Sequence, residues 1–127
     1  MVWCPENLDN NIAAIENGSF SPCDDTILTL NLKNAGITVI EDGTFDKFPK
    51  TVTLDLRNNQ VKEIQEGIVR GMTNIATIYF QNNLIENARG EKLTYDIKET
   101  TKAVLYLNNN KLKKIEATLP KGIDTIY

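Results

Sequence analysis

The sequence predicts an α/β solenoid, and three observations predict it. Laid on itself, the chain superposes without a gap: Ile27 to Asn34 falls on Thr51 to Asn58, 24 positions on. The same frame returns at Ile75 to Asn83, again 24 on, and at Lys102 to Asn110, 27 on. Inside each copy an apolar pair stands two residues apart, and a second apolar pair follows downstream at a constant distance. Self-similarity at a period of roughly 20–50 residues marks a stack of like units, each burying its apolar face against its neighbours.

The first apolar pair of each copy is Leu30 and Leu32, Leu54 and Leu56, Ile78 and Phe80, Leu105 and Leu107. Alternation with period two is the signature of a strand with one buried face, so four strands are predicted, one per copy. Five residues after each pair comes Ile37, Val61, Ile85 or Leu112, and three further on Ile40, Ile64, Ala88 or Ile115. The chain has turned there and still feeds the same core. Phe45 and Phe48 belong to that core as well.

Copies thus begin near residues 27, 51, 75 and 102, with a partial one from 123, so residues 27–127 form the repeat region. Residues 1–26 read as an N-terminal cap with an incomplete first repeat. Ile12, Ile15 and Phe20 each precede Ile37, Ile40 and Phe45 by 25 positions, while Pro5 stands where a strand should hold an apolar residue. Proline cannot donate to a strand ladder. The third copy is longer, and Leu93 and Ile97 within residues 89–101 have helical spacing. That predicts a short helix.

The run Leu54-x-Leu56-x-x-Asn59-x-Val61-x-x-Ile64, and again Leu105 to Ile115, resembles the leucine-rich repeat, L-x-L-x-x-N-x-L-x-x-L. Ile40 to Phe48 looks like the second half of its typical 24-residue subtype, used mainly in extracellular receptors. The resemblance implies a curved stack, with a parallel β-sheet on the concave face and turns or a short helix on the convex face. It also implies that Asn59, Asn83 and Asn110 form a buried ladder serving backbone groups at the bend. An amide left unpaired there would cost roughly 1–3 kcal/mol. Ala35 fills this slot in the first full copy, an expected weak point near the cap.

Function is then sought on the exposed side of the strands. One column there is Asn31, Asp55, Tyr79 and Tyr106, and the next is Lys33, Arg57, Gln81 and Asn108; together they are the candidate partner-binding surface. Tyrosine and arginine are favoured at interface hot spots, although Tyr79 and Tyr106 would serve equally as a cross-strand pair steadying the sheet. Thr29, Thr53, Thr77 and Val104 follow strand preference. Asn34, Asn58, Asn82 and Asn109, one residue before the ladder, are exposed in the same frame, for a glycan or peptide or through family bias alone.

Composition narrows the function class. A length of 127 residues fits one domain, and 41% hydrophobic with 24% charged residues is the balance of a folded globular chain. With 14 Lys and Arg against 17 Asp and Glu there is no basic field for a phosphate backbone, so no nucleic acid is expected as partner. No apolar run is long enough to span a bilayer, so no membrane contact is expected within this segment. If the protein is exported, its signal peptide has already been removed. Without histidine there is no imidazole base, and two cysteines 19 positions apart cannot hold zinc. Neither glycine-rich phosphate cradle occurs. The expectation is no metal, no cofactor and no enzyme.

Cys4 and Cys23 are enough for one disulfide, against the alternative of two buried thiols, and Asn17-Gly18-Ser19 is an N-glycosylation sequon. Both lean towards an exported protein. The reading is a ligand-recognition module, binding protein or peptide, of an extracellular or cell-surface protein such as a receptor ectodomain. The rival is an intracellular scaffold or secreted effector, and a third class is the targeting part of a larger enzyme. Because the sequence stops in mid-strand, self-association through that uncapped strand, or a longer natural chain, is expected.

Overall fold

A computed structural model of the chain describes residues 14–15, 27–41, 43–46, 48–64, 68–69, 71–88, 103–115 and 123–127. Nine strands run through them: β1 (Ala14–Ile15), β2 (Thr29–Asn31), β3 (Val39–Ile40), β4 (Thr53–Asp55), β5 (Thr77–Tyr79), β6 (Asn87–Ala88), β7 (Ala103–Tyr106), β8 (Lys114–Ile115) and β9 (Ile123–Ile126). The main sheet is five-stranded and parallel, in the order β2-β4-β5-β7-β9. Every neighbour in it is the next coil of the stack, which is the architecture the repeat predicts.

Register follows the repeat length. Leu30 lies opposite Leu54, Leu54 opposite Ile78, and Ile78 opposite Leu105. The three extra residues of the third copy are therefore absorbed outside the sheet. Between β7 and β9 the pairing slips: Ala103 faces Ile123, but Val104 faces Thr125 and Leu105 faces Ile126. Asp124 is the residue left over, the two-against-one arrangement of a bulge.

Two further parallel ladders, β1 with β3 and β6 with β8, lie on the second apolar segment, where the sequence showed only a turn towards the core. Ile15 stands opposite Ile40 and Ala88 opposite Ile115. These are two-residue ladders, too short to raise a periodicity signal. Where the convex side is described, within residues 43–50 and 68–74, it is largely turn. The amides of Phe48 and Thr51 reach the carbonyls of Phe45 and Phe48, and those of Met72 and Ile75, 24 positions on, reach Val69 and Met72. The predicted helix within 89–101, most of the cap, Cys4, Cys23 and Asn17 lie outside the described residues.

One core runs the length of the stack. Leu30, Leu32, Leu54, Leu56, Ile78, Phe80 and Leu105 are fully buried, with Ile37, Ile40, Val61, Ile85, Phe45 and Phe48 packed from the other sides. One glycine is fixed by this packing. Gly71 has φ +85°, and a Cβ on it would stand 2.7 Å from the carbonyl oxygen of Asp46 and 2.8 Å from its Cα. Positive φ and backbone contact together leave no room for a side chain.

Candidate functional site: the concave sheet

Beneath the concave face, the buried asparagines hold the bend. Asn59 Oδ1 accepts the amides of Ala35 (3.1 Å) and Ile37 (3.0 Å), while its Nδ2 donates to the carbonyls of Leu32 (3.0 Å) and Leu56 (2.9 Å). Asn83 repeats this one coil on, accepting from Val61 and donating to Leu56 and Phe80. Asn110 accepts from Ile85 and donates to Phe80 and Leu107. Each side chain thus reaches back one coil. The Ala35 slot accordingly leaves no gap in its own coil, because Asn59 already takes the Ala35 and Ile37 amides.

The adjacent column is also asparagine, for a different reason. Asn34, Asn58, Asn82 and Asn109 all have φ between 57° and 59°. Asparagine is the side chain, glycine apart, that enters this left-handed region most readily. Their amides sit at the surface, and Asn82 Nδ2 donates to Asn58 Oδ1 at 2.8 Å. Backbone conformation explains this column without a ligand.

Register brings the two candidate columns onto one exposed surface. Asn31, Asp55, Tyr79 and Tyr106 stand opposite one another on successive strands. Asp55 differs from its expected place: it is only 6% exposed and belongs to Arg57. Its Oδ1 accepts Arg57 Nε at 2.9 Å and the Arg57 amide at 3.2 Å, and its Oδ2 accepts Nη2 at 2.7 Å. A forked pair of this kind is charge-assisted and fixed in direction. The hydrogen bond to Asp55 holds the guanidinium above its already high ordinary pKa, against partial desolvation. Arg57 is therefore a permanent cation, and Asp55 anchors it.

Held in this way, Arg57 lies 4.9 Å over the centre of the Tyr79 ring. The Tyr79 and Tyr106 rings stack at 5.0 Å and 22°, and Tyr106 stacks on Tyr127 at 5.1 Å and 16°. Spacings near 5 Å are close to the distance between neighbouring strands, so one tyrosine per strand suffices to build a continuous row. Tyr127 was missed in the candidate columns. It follows Tyr106 by 21 positions, the offset that pairs Leu105 with Ile126, and the signal was therefore present in the partial last repeat.

In the second column Lys33 and Asn108 are exposed, while Arg57 and Gln81 are half-buried. Gln81 Oε1 is shielded and has no hydrogen-bond partner. Among the described residues no group of three or more Cys, Asp or Glu side chains gathers as a metal site would require. None of their helices is long and apolar enough to cross a membrane.

Comparison with known proteins agrees with this architecture. Residues 25–85 match the family model described as leucine rich repeat. A comparison with curated protein sequences returned no match. Among solved structures the chain is similar to the crystal structure of a TLR13–ssRNA13 complex, with a TM-score of 0.68 and 21% sequence identity. The match covers 80% of this chain and 14% of that one. At that identity the likeness concerns the fold alone.

Proposed function

The chain is a stack of leucine-rich repeats, and from that premise we propose that it is the ligand-recognition module of an extracellular or cell-surface protein, binding a protein or peptide through its concave sheet. The observation that carries this reading is the row Arg57, Tyr79, Tyr106, Tyr127. Four successive coils each contribute one large side chain, and each packs against its neighbour in the row. Rigid aromatic and arginine anchors give up little conformational freedom on binding, which is the economy interface hot spots use.

Stacking geometry favours protein over nucleic acid. Recognition of single strands relies on open aromatic faces and a basic groove. Here Arg57 and Tyr106 cover the two faces of Tyr79, and Tyr79 and Tyr127 cover those of Tyr106. Ring edges and the exposed Tyr127 remain for a partner, and a net charge of −3 supplies no general attraction for phosphate. The neighbour's RNA therefore does not carry over to this reading, in which the module itself does no chemistry.

The binding claim is tested on a partner captured with the intact chain. Substituting Tyr79→Ala and Tyr106→Ala together should weaken its affinity at least about tenfold, the loss of one modest hot spot, while the melting transition remains cooperative. Unchanged affinity would remove the row as the site. Compartment is tested separately, on protein made under oxidising conditions. Intact mass should show the chain lighter by two hydrogen atoms, those lost when Cys4 and Cys23 are oxidised to a disulfide, and reduction should cost about 3 kcal/mol for a loop of that length. Two free thiols would favour the intracellular scaffold.

A further inference from the structure

We propose that the partner of the concave sheet is an acidic peptide segment, and that Lys33 together with the uncommitted edge of Arg57 receives its carboxylate. This rests on the reading of the concave sheet as the binding face and names the chemistry of what binds there.

The charge distribution on that face is lopsided. Asp55 is the acidic group described on it, and Arg57 neutralises it at 2.7 Å. Lys33 has no such partner among the described residues, so the described face carries a net positive charge on a chain whose total is −3. On that described face an acidic partner meets attraction, although the chain as a whole is negative.

The cationic groups are also placed together. Asn31 pairs with Asp55, and the register continues through Leu32 N to Asp55 O (2.8 Å) and Asn34 N to Arg57 O (3.1 Å). Lys33 and Arg57 are therefore side by side on neighbouring strands, on the same exposed side. Arg57 uses Nε and one Nη2 proton on Asp55, which leaves Nη1 and the remaining Nη2 proton for another acceptor. Its side chain is 40% exposed. A lysine beside half of a guanidinium is a seat for one carboxylate.

From that seat the tyrosine row leads away strand by strand, so the residues flanking the acid would lie along ring edges. Gln81 stands next to Arg57 in the same column. Its shielded Oε1 lacks a partner, and a polar atom left so is costly. A turn of that amide towards a bound peptide's backbone N–H would satisfy it. An acidic residue next to apolar or aromatic residues in an extended peptide meets all three features.

The test uses a random peptide library displayed on phage, selected in parallel on the wild-type chain, on Lys33→Glu and on the Tyr79→Ala, Tyr106→Ala double variant. Melting curves confirm that each is folded. The wild type should enrich Asp or Glu beside apolar residues, and K33E should bind those peptides about tenfold more weakly, in the range of close interface charge pairs. Replacing the peptide's acid by Lys should recover binding to K33E. Raising the salt should weaken the wild-type complex. Peptides without acidic enrichment that still require the tyrosines would overturn the acidic partner and leave the concave site standing. Peptides that bind the double variant equally well would overturn the concave site itself.

Discussion

Two neighbouring columns of asparagine run along this stack, one residue apart, the inner one starting a coil later because Ala35 fills its first slot, and the same side chain does opposite work in each. In the column of Asn59, Asn83 and Asn110 the amide turns inward and joins two coils: Asn59 alone takes two amides and gives to carbonyls of its own and the preceding coil. In the column of Asn34, Asn58, Asn82 and Asn109 the amide is at the surface, and asparagine is there for its tolerance of φ near 58°. The first column is chosen for what the side chain bonds, the second for what the backbone must do. Identical spacing and composition therefore do not imply identical cause.

Breaking the inner column should have the largest effect. Asn59→Ala leaves the Ala35 and Ile37 amides and the Leu32 carbonyl without their partner, inside the core, where water cannot readily replace it. At about 1–3 kcal/mol for each of the three groups left unsatisfied, a loss of at least about 3 kcal/mol is expected in urea denaturation. A loss below about 1 kcal/mol would mean that the ladder is decoration.

Gly71→Ala tests a backbone demand of the second kind where space is also lacking. Positive φ costs an L-residue about 1–2 kcal/mol, and the new Cβ would meet the Asp46 backbone as well, so about 2–3 kcal/mol is expected. The melting temperature should fall clearly. If it does not, the close approach of these two turns is not needed for the fold.

The smallest effect sharpens the contrast. Asn58→Gly keeps the left-handed backbone accessible and should change stability by less than about 0.5 kcal/mol, whereas Asn58→Val, stiff and branched at Cβ, should cost about 1–2 kcal/mol. Were glycine as damaging as valine, the side chain would matter more than φ, and the bond from Asn82 to Asn58 would be the cause.

Much of the site was legible because strand register follows repeat length. The offset of 24 puts Lys33 beside Arg57, and the offset of 27 puts Tyr79 beside Tyr106, from spacing alone. The burial of Asp55 was not legible, because a strand pattern shows which side a residue faces and not what bends over it. Arg57, two residues on, folds back and covers it. Tyr127 escaped notice because its repeat breaks off and its pairing contains a bulge, which shifts Ile123 but restores the frame by Ile126.

The sequence by itself determined the coil, the parallel order of the strands and most of the core, though not the buried Ile68, Val69, Met72 and Ile75 or the partial exposure of Leu112. Those follow from apolar residues at fixed intervals, and a repeated interval can close only by stacking each unit on the one before. Only the tertiary structure decided that Asp55 is spent on Arg57 and that the tyrosines form one stacked row with a cation at its end. It also decided that the second asparagine column answers to the backbone. Those outcomes depend on side-chain reach and on φ, which a pattern of residue types does not encode.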